Sequence, residues 1–162
     1  MNDSDAPKAF VIDTSALIEF SIWLPVDLNK IFWSKMEESL REGKWVLLDI
    51  MVDEIRNDND GLKSWCREQK RKGLVKSMDD SHKNRAVEIN GSYRMIDETT
   101  GRSSGDTYLI AYAEANKLTI FTREKPRKDA ADLYKIPDVC DALKLRYIRR
   151  PKIFLEAIGY KN

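Results

Sequence analysis

Short, largely apolar runs alternate along this chain with longer segments in which apolar residues recur at helical spacing. The runs predict buried β-strands, because each is brief and ends at a polar residue; they cover residues 10–12, 45–48, 118–121 and 145–148. The segments with helical spacing predict α-helices at residues 16–22, 28–42, 52–56, 62–72, 106–117, 138–143 and 151–158. Strands that alternate with amphipathic helices are typical of an α/β domain with a mainly parallel sheet, which we therefore expect.

Local signals add expectations about packing. Thr14 or Ser15 is expected to cap the first helix. The apolar face of the segment 28–42 is expected to consist of Leu28, Ile31, Phe32, Met36 and Leu40. Of the four tryptophans, the strand and helix patterns place Trp33 and Trp45 in the core, whereas Trp23 and Trp65 are candidates for a partner interface.

Length and composition narrow the class of protein. The 162 residues fit one domain, expected to span residues 1–162. With 42% hydrophobic and 34% charged residues, the chain has the composition of a globular protein with a heavily charged surface. The longest apolar stretch, residues 108–113, is too short to cross a membrane, and residues 1–8 lack the pattern of a signal segment. A cytoplasmic protein without membrane association is therefore expected.

The residues available for catalysis exclude several classes of enzyme. A single histidine, His82, excludes a His-rich zinc site and the H-E-x-x-H protease motif, and no dinucleotide-binding or P-loop motif is present. His82 itself stands in a polar stretch where we expect no catalytic role. Cys66 and Cys140 lie far apart in the sequence and are expected to be reduced core thiols.

The net charge of +1 conceals a strong asymmetry. Residues 1–60 hold 13 acids and 6 bases, a charge of −7, whereas residues 61–162 hold 14 acids and 22 bases, a charge of +8. An acidic half beside a basic half permits a cation site and a phosphate-bearing substrate drawn towards it.

Four carboxylates are positioned to meet at one edge of the predicted sheet. Asp13 directly follows the first strand, Glu54 lies in the short helix after the second, and Glu124 follows the third. Asp106 occupies the first turn of the helix 106–117, on the side that carries its apolar residues. Because ligands of parallel sheets bind beyond the carboxyl ends of the strands, we expect these four side chains to converge there.

Converging carboxylates need a positive counter-charge, which a divalent cation supplies. An all-oxygen set of ligands favours Mg²⁺ or Mn²⁺ over Zn²⁺. Such ions bind substrate phosphates and activate water. The chemistry expected from these residues is therefore hydrolysis of a phosphodiester bond.

The residues around the four acids resemble the motifs of PIN-domain nucleases. Residues 10–15, Phe-Val-Ile-Asp-Thr-Ser, are similar to the opening motif, a hydrophobic strand followed by Asp and Ser or Thr. Residues 52–55, Val-Asp-Glu-Ile, resemble the second motif, and residues 104–113 the third, in which an Asp opens an apolar helix. Residues 118–124 look like the fourth, a strand that leads to Thr-x-acid. The four matches keep the order of the family and span nearly the whole chain.

The resemblance implies a fold, an activity and partners. It implies a three-layer α/β/α sandwich and an Mg²⁺- or Mn²⁺-dependent ribonuclease that acts as the toxin of a type II toxin–antitoxin pair. The partners so implied are RNA, an antitoxin protein and a second copy of the chain in a homodimer. Residues 123–126 and 135–140 further resemble a PIN-like subgroup of bacterial and archaeal proteins of largely uncharacterised function.

The resemblance also assigns roles by position. The catalytic and metal-binding acids so implied are Asp13, Glu54, Asp106 and Glu124, and the supporting hydroxyls are Thr14, Ser15 and Thr122. Two of these assignments have rivals. The family has Asp more often than Glu at the fourth acid, so Asp129 competes with Glu124, and Asp53 competes with Glu54.

Basic residues form three clusters that could contact a phosphate backbone. The cluster next to Glu124 is the expected substrate contact and consists of Arg123, Lys125, Arg127 and Lys128. The other two are expected to be solvated surface, and they consist of Arg67, Lys70, Arg71 and Lys72, and of Lys144, Arg146, Arg149, Arg150 and Lys152.

Two other functions compete with the ribonuclease hypothesis. The chain could be a degenerate PIN-like module that binds RNA or protein without cutting. An aspartyl-phosphate phosphatase usually has a second Asp two positions after the first, and that position here is Ser15. The sequence leaves open whether the nucleic acid is RNA or DNA.

Overall fold

A computed structural model describes residues 9–56, 60–97, 99 and 104–161. The described residues form five β-strands, which are β1 (Phe10–Ile12), β2 (Trp45–Leu48), β3 (Val75–Lys76), β4 (Thr119–Phe121) and β5 (Tyr147–Ile148). They also form eight α-helices, which are α1 (Thr14–Trp23), α2 (Lys30–Arg41), α3 (Asp49–Glu54), α4 (Leu62–Arg71), α5 (Asp80–Ser92), α6 (Ser104–Asn116), α7 (Ile136–Leu143) and α8 (Pro151–Ala157). A short 3₁₀ helix, Val26–Leu28, precedes α2.

The five strands form one parallel sheet in the order β3-β2-β1-β4-β5. Phe10 of β1 pairs with Trp45 on one side and with Thr119 on the other. The chain thus builds outwards from β1 through β2 to β3, then crosses back to add β4 and β5 beyond the other side of β1. The reversal puts the topological switch point of the sheet between β1 and β4, where ligands of open parallel sheets bind.

Helices cover both faces of the sheet. Right-handed crossovers put the helices that connect β1, β2 and β3 on one face, and the reversed crossover to β4 puts α5 and α6 on the other. The first face carries an aromatic cluster in which Phe154 of α8 packs against Phe10, Phe20 and Phe121. On the second face α5 packs along α6. The arrangement confirms the expected α/β class and three-layer sandwich.

The burial of the strands follows from their place in the sheet. All three residues of the central strands β1 and β4 are buried, whereas both residues of the edge strand β5 are half-buried. Trp33 and Trp45 are 2% and 1% exposed, which confirms that they are core residues. Trp65 is half-buried and stacks on Trp45, while Trp23 is 77% exposed.

Helix α2 corrects one expectation. Phe32, Met36 and Leu40 are buried as expected, but Leu28 and Ile31 are 81% and 82% exposed. Leu28 belongs to the 3₁₀ helix that precedes α2. Ile31 is nine residues before Leu40, and nine steps of about 100° put the two on opposite sides of a helix. The buried stripe therefore excludes it.

Other predicted boundaries shift, and one strand was not foreseen. Helix α3 begins at Asp49 instead of residue 52, and α7 begins at Ile136 because its first turn accommodates Pro137. Strand β3 has only two residues, too few for a pattern to be recognised. The segment 1–8 and most of the turn expected at 57–61 lie outside the described residues.

Two further expectations concern the cysteines and the membrane. Cys66 and Cys140 are both free and buried, as expected of core thiols. In the part of the chain that the structure describes, every helix is too short or too polar to traverse a bilayer.

Candidate functional site

Asp13 stands at the switch point, directly after β1. It is the N-cap residue of α1, in place of the Thr14 or Ser15 expected from the sequence, and its side chain makes no capping hydrogen bond. Its backbone N–H donates to the carbonyl of Phe121 at 2.8 Å, which joins the ends of β1 and β4. Asp13 is 5% exposed, so its carboxylate needs polar partners.

Two hydroxyl groups provide those partners. Ser15 Oγ and Thr122 Oγ1 donate to Oδ2 of Asp13 at 2.7 Å and 2.9 Å. Among the described residues, no hydrogen bond to the other oxygen, Oδ1, is found. Thr122 Oγ1 also accepts from the backbone N–H of Glu124 at 3.1 Å. Thr122 therefore links Asp13 to the chain that carries Glu124.

Glu54, the last residue of α3, brings a second carboxylate to this edge. As a whole residue Glu54 is exposed, but its carboxylate lies against Gly105 at the start of α6, where a Cβ atom on Gly105 would be only 1.6 Å from Oε1. Desolvation raises the pKa of Glu54, the negative charge of Asp13 raises it further, and the Thr14 side chain works against the rise. Glu54 therefore shares an electrostatic environment with Asp13.

Glu124 brings a third carboxylate, from the loop after β4. Its Oε2 accepts a hydrogen bond from the backbone N–H of Ile136, the first residue of α7, at 2.9 Å. Desolvation raises the pKa of Glu124, and the charge of Asp13 adds to the rise, while the Ile136 N–H and the charge of Lys135 oppose it. Asp13 thus acts electrostatically on carboxyl groups from two other parts of the chain.

The rivals for two of these positions lie differently. Asp129 is exposed, and its carboxylate accepts a hydrogen bond from the backbone N–H of Ala131 within its own loop at 2.9 Å. The charge of Asp13 is one cause of the raised pKa of Glu124. Of the two candidates for the fourth acid, Glu124 is therefore the one that interacts electrostatically with Asp13. Asp53 precedes Glu54 on α3 and is exposed.

Asp106 occupies the first turn of α6, as expected, and is half-buried. It directly follows Gly105, against which the Glu54 carboxylate rests, so the beginning of α6 adjoins the site. The helix is buried on all sides from residue 109 to residue 113 instead of along one stripe. Five consecutive buried residues put the middle of α6 in the core.

The carboxylates suit a hard dication chemically but do not form a ready-made set of ligands. Among residues 9–56, 60–97, 99 and 104–161, no group of three or more His, Cys, Asp or Glu side chains is arranged to hold a metal ion. The donors available are all carboxylate oxygens, and the charge of Asp13 raises the pKa of both Glu54 and Glu124. Oxygen donors under mutual repulsion are the type that Mg²⁺ and Mn²⁺ neutralise.

The basic cluster after β4 divides into tethered arginines and exposed lysines. Arg123 donates to Glu19 at 3.2 Å and to the carbonyl of Arg149. Arg127 donates to two carbonyls of its loop, and its guanidinium lies 3.7 Å from the centre of the Tyr134 ring. Lys125 and Lys128 are exposed. The two arginines therefore shape the loop, and the two lysines are the side chains left to contact a substrate.

His82 takes part in capping helix α5. It is the third residue of α5, where its backbone N–H donates to Asp79 and its Nδ1 accepts from the Asp79 backbone N–H at 3.2 Å. Its ring lies 5.1 Å from that of Tyr112 on α6. These contacts make His82 part of the cap of α5.

Sequence comparison assigns most of the chain to one family model. The model of DUF4411, a domain of unknown function, matches residues 10–158. The match includes all four candidate acids. A comparison with curated proteins finds no match.

Proposed function

This chain belongs to the DUF4411 family, and we propose that it is a PIN-like, Mg²⁺- or Mn²⁺-dependent hydrolase of RNA phosphodiester bonds. One observation carries the proposal: at the switch point of the sheet, the buried Asp13 carboxylate is held through Oδ2 by Ser15 and Thr122, and its charge raises the pKa of both Glu54 and Glu124. Surface carboxylates that serve only solubility are seldom grouped in this way, and such groups mark functional sites.

The residues that would hold the cation are Asp13, Glu54, Asp106 and Glu124. When bound, the ion supplies an activated water and neutralises charge on the phosphate. Ser15 and Thr122 fix the orientation of Asp13 through Oδ2, which leaves Oδ1 as a donor for the ion. The N–H of Ile136 fixes Glu124 in the same way. The side chains of Glu54 and Glu124 rotate about several bonds, so they can approach the ion from their present positions.

The PIN-like relationship is supported by where the four acids lie in the fold. One follows β1, one ends the helix after β2, one lies in the first turn of α6, and one follows β4. The same order carries the sequence resemblance to PIN-domain nucleases. RNA as the substrate, and the role of a toxin, rest on that resemblance.

A protein partner, either an antitoxin or a second copy of the chain, is supported by apolar side chains on the surface. The large apolar residues exposed within one ten-residue stretch are Ile22, Trp23, Leu28 and Ile31. Large exposed apolar patches are typical of sites where a protein binds a partner. The stretch joins the end of α1 to the beginning of α2.

A second candidate function is a module that binds RNA without cutting it. The observation that favours this function is that the described carboxylates are not gathered into a ready-made ligand set. In that case Mn²⁺ would not bind the protein, while RNA would.

The test is cleavage of a mixed RNA pool by the purified protein in Mn²⁺, with mapping of the ends and with EDTA in a parallel reaction. We expect cleavage in Mn²⁺ alone, and its loss in Asp13→Asn and Asp106→Asn. Glu124→Gln and Asp129→Asn compare the two rivals for the fourth acid, and we expect loss only in Glu124→Gln. Full cleavage by Asp13→Asn would refute the mechanism. RNA binding without cleavage, together with no Mn²⁺ binding in calorimetry, would establish the second candidate instead.

A further inference from the structure

A second charged feature lies beside the carboxylates of Asp13, Glu54, Asp106 and Glu124, which we call the acidic site. It is a cavity of about 410 Å³ between the end of α3 and helix α4. Its lining includes the apolar side chains Val52 and Ile55 and the basic side chains Arg56, Lys63, Arg67 and Lys70. We call it the basic cavity.

The spacing of the residues on α4 explains why the cations gather there. Lys63, Arg67 and Lys70 are four and three residues apart, so they share one face of the helix. Arg56 follows α3, and its carbonyl accepts a hydrogen bond from Lys63 Nζ at 3.3 Å, which fixes one wall of the cavity against the other. Asp53 is the one acidic residue in the lining.

The charges of the cavity differ from those on the rest of α4. Arg71 pairs with Glu68, and Lys72 Nζ pairs with Glu37 at 2.7 Å. Within the described part of the chain, by contrast, none of the four cations of the basic cavity forms an ion pair with a carboxylate. Four neighbouring cations with a single carboxylate, that of Asp53, in the shared lining repel one another, and a polyanion relieves that repulsion.

The position of the basic cavity next to Glu54 indicates which polyanion it would bind. Asp53 and Ile55, which line it, are the residues on either side of Glu54, so the cavity begins within one residue of the acidic site. Its volume exceeds that of a single phosphate group. We propose, resting on the hydrolase function above, that the basic cavity binds the backbone phosphates of the RNA strand next to the bond that is cut.

All four members of the second basic cluster are exposed, as expected of solvated surface, and the proposal gives two of them a further role. The cluster of Arg67, Lys70, Arg71 and Lys72 was expected to be solvated surface. The structure divides it into two residues that line the cavity and two that are paired with carboxylates. The division also supplies a matched control, because each pair of substitutions removes two positive charges from α4 or from Lys72, the residue that directly follows it.

The experiment measures binding of a fluorescently labelled single-stranded RNA by anisotropy in EDTA, so that no cleavage takes place. For the double variant Arg67→Ala with Lys70→Ala, we expect the Kd to rise by at least about tenfold. The slope of log Kd against log salt should fall by about 1.4, since each lost contact to a single strand removes about 0.7. For Arg71→Ala with Lys72→Ala, we expect the Kd to change less than about twofold. Equal changes in the two double variants would overturn the proposal.

Two additional measurements separate the alternatives. If the alanine pair lowers the midpoint of thermal unfolding, Arg67→Gln with Lys70→Gln is measured in its place. Binding of inorganic phosphate followed by ³¹P NMR distinguishes a small anion from a polynucleotide: loss of phosphate binding with unchanged RNA binding would overturn the proposal. The hydrolase function is judged separately by cleavage in Asp13→Asn, so RNA binding that depends on the cavity would stand even if no RNA were cut.

Discussion

The contact between Glu54 and Gly105 yields the most specific prediction, for the substitution Gly105→Ala. Gly105 does not have a positive φ, unlike four other glycines of the chain, so its backbone would accept alanine. In a helix interior, alanine is preferred over glycine by about 0.5–1 kcal/mol, and Gly105, as the second residue of α6, gains at most that amount. The new Cβ, however, would lie 1.6 Å from Oε1 of Glu54 and 2.7 Å from its Cδ. Ordinary contact begins at 3.4 Å, so the carboxylate must move by nearly 2 Å.

Of the two residues in this contact, Glu54 is the one whose side chain can move. The carboxylate is the far end of a flexible chain, whereas Gly105 belongs to a helix packed against its neighbours. We therefore expect the free energy of unfolding to change by less than about 1 kcal/mol, because the helix propensity gained offsets the loss of a carboxylate near a helix N-terminus. The displaced carboxyl leaves its desolvated position, so the pKa of Glu54 should fall towards its ordinary value. The new methyl group would also occupy the space between Glu54 and the first turn of α6, where the proposed ion would need both Glu54 and Asp106. A misplacement of about 1 Å can lower a rate about a hundredfold, and we expect at least that loss of RNA cleavage.

Gly91→Ala is the matched control. Gly91 also lies in a helix, α5, and a Cβ there would meet no atom within 4 Å. It should leave the titration of Glu54 and the cleavage rate unchanged. The measurements are urea unfolding, carboxyl titration by ¹³C NMR, and RNA cleavage in Mn²⁺. Wild-type cleavage and an unchanged Glu54 pKa in Gly105→Ala would refute the reasoning, as would a loss of stability of several kcal/mol.

Three further predictions follow from the acidic site. Asp13→Asn removes a charge that raises two pKa values, so carboxyl titration by NMR should show lower pKa values for both Glu54 and Glu124; unchanged values would contradict the coupling. Because the pKa of Glu54 is raised in the folded protein, the folded state binds more protons than the unfolded state above about pH 4.5. The free energy of unfolding from urea titrations should therefore fall as the pH rises through the folded pKa, and Glu54→Gln should flatten that fall. Finally, Mn²⁺ at about 100 times its Kd should stabilise the wild type by about 2.7 kcal/mol in thermal unfolding, reversibly with EDTA. An equal effect on Asp13→Asn would show that the ion binds elsewhere.

The central part of the fold was predictable because its strands are buried on both faces. The runs at residues 10–12 and 45–48 coincide with β1 and β2, since a strand enclosed by helices is apolar throughout. Strand β3 was missed because an edge strand of two residues is defined by its pairing with β2, and no pattern of its own sequence records that pairing. The exposure of Ile31 was missed because an apolar residue beside a buried stripe resembles a member of it.

The position of an acidic residue could be predicted from the sequence only where the residue directly follows a strand. Asp13 comes directly after β1, so its place at the sheet edge follows from the strand alone. Glu124 and Asp129 lie in a long loop, and the choice between them depends on how that loop folds back onto the beginning of α7. The packing of Glu54 against Gly105 joins residues far apart in the sequence, and spacing alone could not reveal it.

The acidic site and the basic cavity would have complementary roles in the proposed function. An edge where the charge of Asp13 acts on both Glu54 and Glu124 repels the phosphates of RNA, so that edge alone would bind a polyanion poorly. A basic cavity alone would bind RNA without holding any particular bond over the carboxylates. The sign of the charge reverses between Glu54 and Arg56, which are two residues apart, so the attraction acts close to the repulsion. Under the proposed function, the carboxylates would hold the cation and the adjacent basic cavity would hold the strand beside the bond that is cut.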